Sequence, residues 1–458
     1  MIKMLLVGTG KSCINPANDM FPIPSRFADF GVPLLQNGIY DDAFCRAIAV
    51  DNGTETFMLM SFETRGYPGV PKLAQILSDK TGIPAENFII SGTHNHSIPV
   101  DTHSPGKDDA PEEIAFHREY WKIETAAALE ACIQAVGTMK PARFGYGETQ
   151  SYVNVNRDYQ TMFGYWVEAR NLEGYSDKTL AIMKFVDMDG KLIAALLNYG
   201  MHNTCIHMMK DFDGVSKTSG NVSGIACRFV EEHFGNDAIV LWTSGAAGNQ
   251  NPLFSHNLQY EYPDGYTTSV PLPDGVGYMM MELMGRTHGV DAVKGLNKIN
   301  TYTEELPFKH VSKNCYIPSQ KHELPPKEGT PIRMVRQGGI GLREPNDTKP
   351  VKLPELPKMV DDLNHPAELQ MNLTLIGDIA IVGIGAEPYA EIGRDIKAVS
   401  PYKHTFVMTH CTEKRCGYIL DKTSKEHSVF QSFGRVKPGS ADDIIIQNAI
   451  DLFKEVSQ

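Results

Sequence analysis

The chain lacks any long apolar run: no stretch approaches the roughly 18 residues that a membrane-spanning helix needs. It also lacks a basic excess, with 43 lysines and arginines against 55 acidic residues and a net charge of −12. A surface of that sign repels phosphate backbones, which argues against nucleic acid as a partner. Cysteine is sparse and unpatterned. The eight cysteines fall at positions 13, 45, 132, 205, 227, 315, 411 and 416, and no two form a CxxC pair. Cys411 and Cys416 beside His410 have a permitted zinc-knuckle spacing, but no second ligand pair accompanies them. The opening MIKMLLVGTGKSCINP has no apolar core or cleavage site of a secretory leader. Free thiols are therefore expected, not a disulfide framework. Internal repeats and low-complexity tracts are absent too. These absences predict a cytoplasmic protein that handles a small-molecule substrate, without stable membrane insertion. They leave homo-oligomerisation open.

What is present reads as an ordinary globular chain. Hydrophobic residues make up 42% and charged residues 21%, enough apolar content for a core without staples. No clean linker divides the 458 residues, so one composite domain over 1–458 is expected. The proline- and charge-rich stretch from Lys313 to Lys358 is expected to be a long surface excursion or a small subdomain edge, outside the main core. Short β-rich runs alternate with helical patterns, the signature of an α/β fold. Strands are predicted at Met4–Val7, Arg46–Val50, Thr56–Ser61, Phe88–Ser91, Leu180–Val186, Leu192–Tyr199, Ile239–Thr243, Gln370–Ile376, Ile379–Ile384 and Phe406–His410. Helices are predicted at Val70–Thr81, Pro111–Val136, Val222–Phe234, Gly277–Lys298, Tyr389–Val399 and Ala441–Glu455. For the third helix, Ser219 or Asn221 can cap the start and Gly235 can close the end.

The chemistry-bearing residues follow the apolar strands, where open α/β folds gather functional groups. After Phe88–Ser91 come His94 and His96. Two residues apart in an extended segment, they share one face, so both could reach one metal, or one could bind it while the other moves protons. After Leu192–Tyr199 comes His202; taken alone, such a histidine is more often a packed core residue, and His207 carries a weaker signal still. After Ile239–Thr243 the small residues of the Gly245–Gly248 loop lead to Asn249 and Asn251, whose amides can donate to a substrate oxygen. Glu387 sits at a strand-to-helix switch, where a carboxylate can also simply complement a helix dipole. Arg157 can stabilise an oxyanion or stand in a surface ion pair. Tyr418 carries no signal of its own.

Read in order, these segments resemble the neutral (alkaline, non-lysosomal) ceramidase family. The resemblance begins at Val7-Gly-Thr-Gly-Lys11 and Asn15-Pro16, then Gly38 to Arg46 and Ser61-Phe-Glu63. It continues through Thr93 to Ser97, Asn156-Arg157, His202, Ser219-Gly220 and Ala247 to Pro252, and closes on Glu387 and Gly417-Tyr418-Ile419. It implies a large mixed-sheet zinc hydrolase domain matching the family's catalytic domain, without the family's C-terminal immunoglobulin-like domain. By the same resemblance, zinc would be held by His94, His202, Glu387 and Tyr418. His96 and Arg157 would act beside it, with Tyr418 also touching substrate. The implied reaction is cleavage of an amide (N-acyl) bond of a soluble substrate by a metal-activated water; an ester, lactone or sugar-linked N-acyl group is the alternative, as is a homologue that only binds. Asn251 stands where the family carries a serine, and Asn221 where it carries an acidic residue.

Overall fold

We describe the protein from a computed structural model. It covers residues 4–24, 35–66, 70–99, 111–161, 164, 166–207, 209–235, 237–255, 257–261, 267–323, 357–412 and 416–457. Eight strands form the principal sheet: β1 (Leu6–Cys13), β2 (Phe44–Asp51), β3 (Thr56–Phe62), β4 (Phe88–Gly92), β5 (Lys140–Gln150), β8 (Thr179–Asp187), β9 (Leu192–Tyr199) and β10 (Ile239–Ser244). Between β5 and β8 lie β6 (Asn154–Gln160) and β7 (Trp166–Asn171), which join the short β11 (Gln250–Pro252) in a separate three-stranded sheet. The principal sheet has the order β10-β9-β8-β5-β1-β2-β3-β4. Only its end pairs, β3 with β4 and β9 with β10, are parallel. A second, four-stranded sheet runs β12 (Phe308–Ile317), β13 (Ala367–Ile376), β14 (Ile379–Ile384) and β16 (His404–Thr409), and β14 and β16 are parallel. Between β14 and β16, β15 (Glu387–Pro388) pairs with the later β17 (Tyr418–Ile419).

Strand periodicity dictates the layering, because successive side chains point to opposite faces. Along β2, Cys45, Ala47 and Ala49 face one way, against α1 (Val70–Thr81) and α2 (Pro111–Gly137). Ile48 and Val50 face the other way, into a core shared with the second sheet. Along β8 and β10 the same alternation sends Leu180, Ile182, Val240 and Trp242 toward α3 (Asn221–Phe234) and α4 (Val276–Lys298). Ala181, Met183, Phe185, Ile239 and Leu241 point into the sheet–sheet core. There Phe57 stacks on Phe308 with ring centroids 4.4 Å apart. The outer face of the second sheet is covered by α5 (Ala390–Val399) and α6 (Asp442–Ser457). The result is a four-layer α/β/β/α sandwich, a mixed α/β fold as expected. Gly8 and Gly10 let α2 lie directly on β1: a Cβ at either would stand 2.0 Å from the carbonyl oxygen of Ala135 or Ala131.

Two expectations change. The stretch beginning at Lys313 is not a surface excursion at its start. Phe308–Ile317 pairs with β13 along its whole length, and Cys315 and Ile317 are buried. Its lysines do lie at the surface, where Lys313 stands 3.3 Å from Asp451 of α6, but the alternate positions Cys315 and Ile317 turn into the core. Residues 324–356 of the predicted excursion lie outside the described residues. At the start of α3, Gly220 occupies the cap position, while Ser219 Oγ accepts from Asn221 N (2.9 Å) and Asn221 Oδ1 accepts from Val222 N (2.8 Å). The Gly235 closure is as expected, with φ +100° and its N–H on the carbonyls of Glu231 and Glu232. Among the described residues, no helix is long and apolar enough to cross a membrane.

Candidate metal centre

The site forms where the two ends of the principal sheet meet the second sheet. The two ends of the principal sheet come into contact there, as the right-handed twist common to sheets allows. Ser61 Oγ at the end of β3 donates to Trp242 O on β10 at 2.7 Å. Beyond the strand ends, Asn95 and Asn203 form a parallel bridge that joins the loop after β4 to the loop after β9. These loops carry His94, His96 and His202. Segments that follow β14 and β16 of the second sheet supply the rest: Glu387 on β15 lies opposite Tyr418 on β17 in a separate two-residue parallel pair. Gly248, in the loop after β10, packs on that pair; its N–H donates to Pro388 O at 2.8 Å, and a Cβ there would stand 2.4 Å from Glu387 O.

Five candidate donor residues converge at hydrogen-bond spacing. Glu387 Oε2 lies 3.3 Å from His94 Nε2 and 3.2 Å from His202 Nε2. Tyr418 OH lies 3.2 Å from His202 Nε2, and His96 Nε2 lies 3.3 Å from His94 Nε2. The ligand atoms of His94, His96 and His202 all fall within 4.8 Å of one another. The tautomers follow from the far side of the rings. His94 Nδ1 donates to Arg65 O at 2.8 Å and His202 Nδ1 to Gln250 O at 3.1 Å, since a carbonyl can only accept. Both Nε2 atoms are thereby aimed inward at the Glu387 carboxylate. Lone pairs facing a carboxylate need a cation or protons between them. A tetrahedral zinc with bonds of about 2.0–2.1 Å has ligand–ligand edges of roughly 3.3–3.4 Å, which matches the spacings here. The donor set of imidazole, carboxylate and phenol, with outer nitrogens held by carbonyls, fits such an ion.

Burial sets the charge states. It pushes His202 down to about 3, with Arg157 and His94 adding to the effect, so the ring is neutral. Burial and the nearby Arg65 and His94 hold His96 well below the ordinary histidine range. Burial opposes ionisation of Glu387, but His94 and His202 outweigh it and leave a carboxylate. Burial, reinforced by Glu387, raises the Tyr418 phenol, and Arg157 pulls it back only in part. Strain also concentrates here. His94 (φ +59°), Asn221 (φ +57°) and His410 (φ +56°) are the described non-glycine residues with left-handed backbone, and the His410 ring stacks on His94 at 4.0 Å.

The remaining predicted residues take these positions. Arg157, on β6, is buried with its guanidinium 5.3 Å from the Tyr418 ring and 5.2 Å from Phe430. Nε and Nη2 donate to Gly248 O (3.1 and 2.6 Å), and Nη1 to Asn251 Oδ1 at 3.1 Å and Glu168 at 3.4 Å. Its Nη2 comes within 3.5 Å of His202 Nε2. The network fixes the Gln431 amide with its oxygen toward Arg157 Nε at 2.9 Å. Asn251 also donates to Glu168 at 3.0 Å, so both ends of its amide meet protein partners. Asn249 likewise donates to Glu391 (2.8 Å) and accepts from Ala390 N (3.0 Å), which ties the loop after β10 to the start of α5. Sequence reasoning met His410 only in the zinc-knuckle spacing it set aside, it missed Glu168 and Gln431, and the carbonyls of Arg65 and Gln250 have no sequence signature at all. His207, weighted low, lies with its ring 5.5 Å from His96.

Two solved structures share this architecture. A neutral ceramidase from Pseudomonas aeruginosa aligns with TM-score 0.70 at 15% identity, over 100% of this chain and 75% of that one. A ceramidase complexed with C2 aligns with TM-score 0.66 at 16% identity, over 98% and 75%. No protein-family model matches the chain. At these identities the likeness shows a common fold: this chain has the layered architecture of the ceramidase structures, with a histidine cluster able to hold a metal ion.

Proposed function

We propose that this protein is a zinc-dependent hydrolase that cleaves the amide bond of a soluble N-acyl compound. The observation that carries the reading is the inward convergence of His94, His202, Glu387 and Tyr418, with both imidazole tautomers locked by backbone carbonyls. The two neighbours' name, ceramidase, supports the choice of an amide. Zinc held by these four residues would supply a Lewis acid for the carbonyl and bring the pKa of a bound water toward about 7. His96, kept neutral by burial, is the proton acceptor for the attacking water and returns the proton to the leaving amine. Arg157, charged and anchored on Gly248 O, places fixed positive charge beside His202, where the carbonyl oxygen gains negative charge. Asn251 and Glu168 hold Arg157 there.

Elemental analysis of purified wild type beside His94→Ala and Glu387→Ala, with turnover on a panel of N-acyl and ester substrates, tests the reading. About one zinc per chain, lost in both variants, is expected. His96→Ala should keep the metal and lose roughly 10²–10⁴-fold in kcat. A wild type that holds no divalent metal after zinc is added back ends the hydrolase reading.

A further inference from the structure

Three buried asparagines lie between the histidine loops and the first turn of α3: Asn95, Asn203 and Asn221, each fully inaccessible to solvent. Each makes bonds that no hydrophobic residue could replace. Asn203, next to His202, is a hub. Its Nδ2 donates to Thr93 O (2.6 Å), and its Oδ1 accepts from Ser223 N in the first turn of α3 (3.1 Å). Its backbone N–H donates to His94 O (3.3 Å), and its carbonyl accepts from His96 N (3.0 Å). Asn221, at φ +57°, closes the same ring. Its Nδ2 donates to Asn203 O (3.0 Å) and to Ser97 Oγ (2.8 Å). Asn95, between the two histidines, donates to Glu63 O (3.1 Å) and Ser219 O (2.7 Å) and accepts from Ser97 N (2.9 Å).

We propose that this asparagine ring is a positioning device: it references both histidine loops to the start of α3 and so sets the distance between His94 Nε2 and His202 Nε2. The proposal rests on the zinc reading of the site and deepens it. The three residues touch neither substrate nor metal. Their effect passes through backbone, because the amides of Asn203 and Asn221 bond the peptide groups on either side of the ligands. A buried polar ring of this kind is rigid only while every member is satisfied. The left-handed backbone of Asn221 is explained in the same way, since that conformation aims its amide at both Ser97 and Asn203.

Two variants test it. Asn221→Gly keeps the positive φ without strain and removes the amide. Asn203→Ala removes the hub. Ser151→Ala, at the buried Ser151–His288 bond (2.8 Å) away from the site, is the control for a general loss of stability. The readouts are zinc affinity by chelator competition and the visible absorption of the Co²⁺-loaded protein, beside the melting temperature of the stripped protein. Zinc affinity is expected to fall about 10–100-fold in Asn221→Gly and Asn203→Ala, with an altered Co²⁺ spectrum. Ser151→Ala should melt earlier with affinity and spectrum unchanged. If Asn203→Ala does not fold, Asn221→Gly decides alone. Wild-type affinity and an unchanged spectrum in Asn221→Gly overturn the positioning role and leave the zinc reading intact. A wild type that binds neither ion overturns the zinc reading and the proposal with it.

Discussion

Replacing Glu387 by glutamine separates what this carboxylate does with a metal from what it does without one. In the stripped protein Glu387 Oε2 faces two imidazole nitrogens at 3.3 and 3.2 Å, and both rings are held as Nδ1–H tautomers by Arg65 O and Gln250 O. Without a metal, a proton on a facing Nε2 is shared with the carboxylate, and these bonds are what hold Glu387 ionised against burial. A glutamine amide keeps neutral hydrogen bonds there and loses the charge, a difference of about 1–2 kcal/mol. For a chain of 458 residues the unfolding entropy is roughly 1 kcal/mol per degree, so stripped Glu387→Gln should melt about 1–2 °C below stripped wild type. Zinc should widen the gap. At a free concentration 100 times its Kd, zinc adds about 2.7 kcal/mol, or about 3 °C, to the wild type. Loss of the anionic ligand, taken as an affinity drop of about 100-fold, leaves about 0.4 kcal/mol in the variant. Calorimetry of chelator-stripped and zinc-loaded samples reads both differences. The reasoning is refuted if zinc raises both proteins equally, or if stripped Glu387→Gln melts above stripped wild type.

Three further perturbations test the layers and the charges around the site. Burial holds His288 at about 3, against about 6.5 for an unfolded histidine, so between those values the unfolded chain binds a proton that the folded chain excludes. Stability from this group is therefore complete above pH 6.5 and lost as pH falls, by about 2 kcal/mol at pH 5; His288→Asn should flatten the calorimetric melting curve against pH over that range. Burial, with Asp421 adding, raises Glu391 to about 7, so the sign is opposite: the folded chain keeps a proton that the unfolded chain loses above about 4.5. Its contribution is full below that value and lost as pH rises through 7. Glu391→Gln, whose amide oxygen can still accept from Asn249, should gain about 3 kcal/mol over wild type at pH 8 and almost nothing at pH 4, read by the same calorimetry. Gly8→Ala places a methyl 2.0 Å from Ala135 O on the helix backbone, so α2 must lift from β1; at about 1–3 kcal/mol for overpacking, a fall in melting temperature of about 1–3 °C is expected, and an unchanged one contradicts the packing described.

Much of the architecture was legible because most strands of the sandwich are buried on both faces. Leu192–Tyr199 and Ile379–Ile384 are continuous apolar runs, and the structure places strands at those same residues. Val70–Thr81 shows helical spacing and is helical at those bounds. Lys140–Gln150 was not legible: it contains Pro141, Gly145 and Gly147 and no apolar run, yet it lies between β1 and β8. Its strand character comes from its neighbours, which local sequence does not record. The Lys313 region was missed for a related reason, since its strand is set by pairing with β13, 50 residues or more further on, which its charged and polar residues do not signal. At the site, His94 and His202 were visible as histidines just past strand ends. Their convergence was not visible, because it depends on sheet twist and on the bridge between Asn95 and Asn203. Glu387 was visible only as a carboxylate at a strand-to-helix switch and Tyr418 entered through the resemblance alone; the structure sets them side by side on β15 and β17.

The origin of the four donors ties the candidate site to the assembly of the fold. His94 and His202 extend from the principal sheet, whereas Glu387 and Tyr418 hang from the second. No single layer contains the set, so the site exists only once the two sheets have docked across the core that includes Phe57 and Phe308. An ion bound there joins the sheets at one end, and its binding energy adds to the stability of the docked state, because the undocked state has no preformed cage. The buried Arg46–Glu63 and Arg46–Glu231 pairs brace the principal sheet and α3 on the near side of the same site, and Glu63 O accepts the Asn95 amide between the two histidines. His94 and His202 are thus held by polar bonds that survive without a metal, whereas at Glu387 and Tyr418 an ion would add to the few hydrogen bonds that join the sheets at this end, such as Gly248 N to Pro388 O and Thr409 Oγ1 to Ser244 O. Stripping the ion should therefore loosen Glu387 and Tyr418 before His94 and His202. Hydrogen exchange reads this directly: the amides of Glu387 and Tyr389, on the carbonyls of Gly417 and Ile419, should lose protection in chelator, while those of Asn95 and His96 keep theirs.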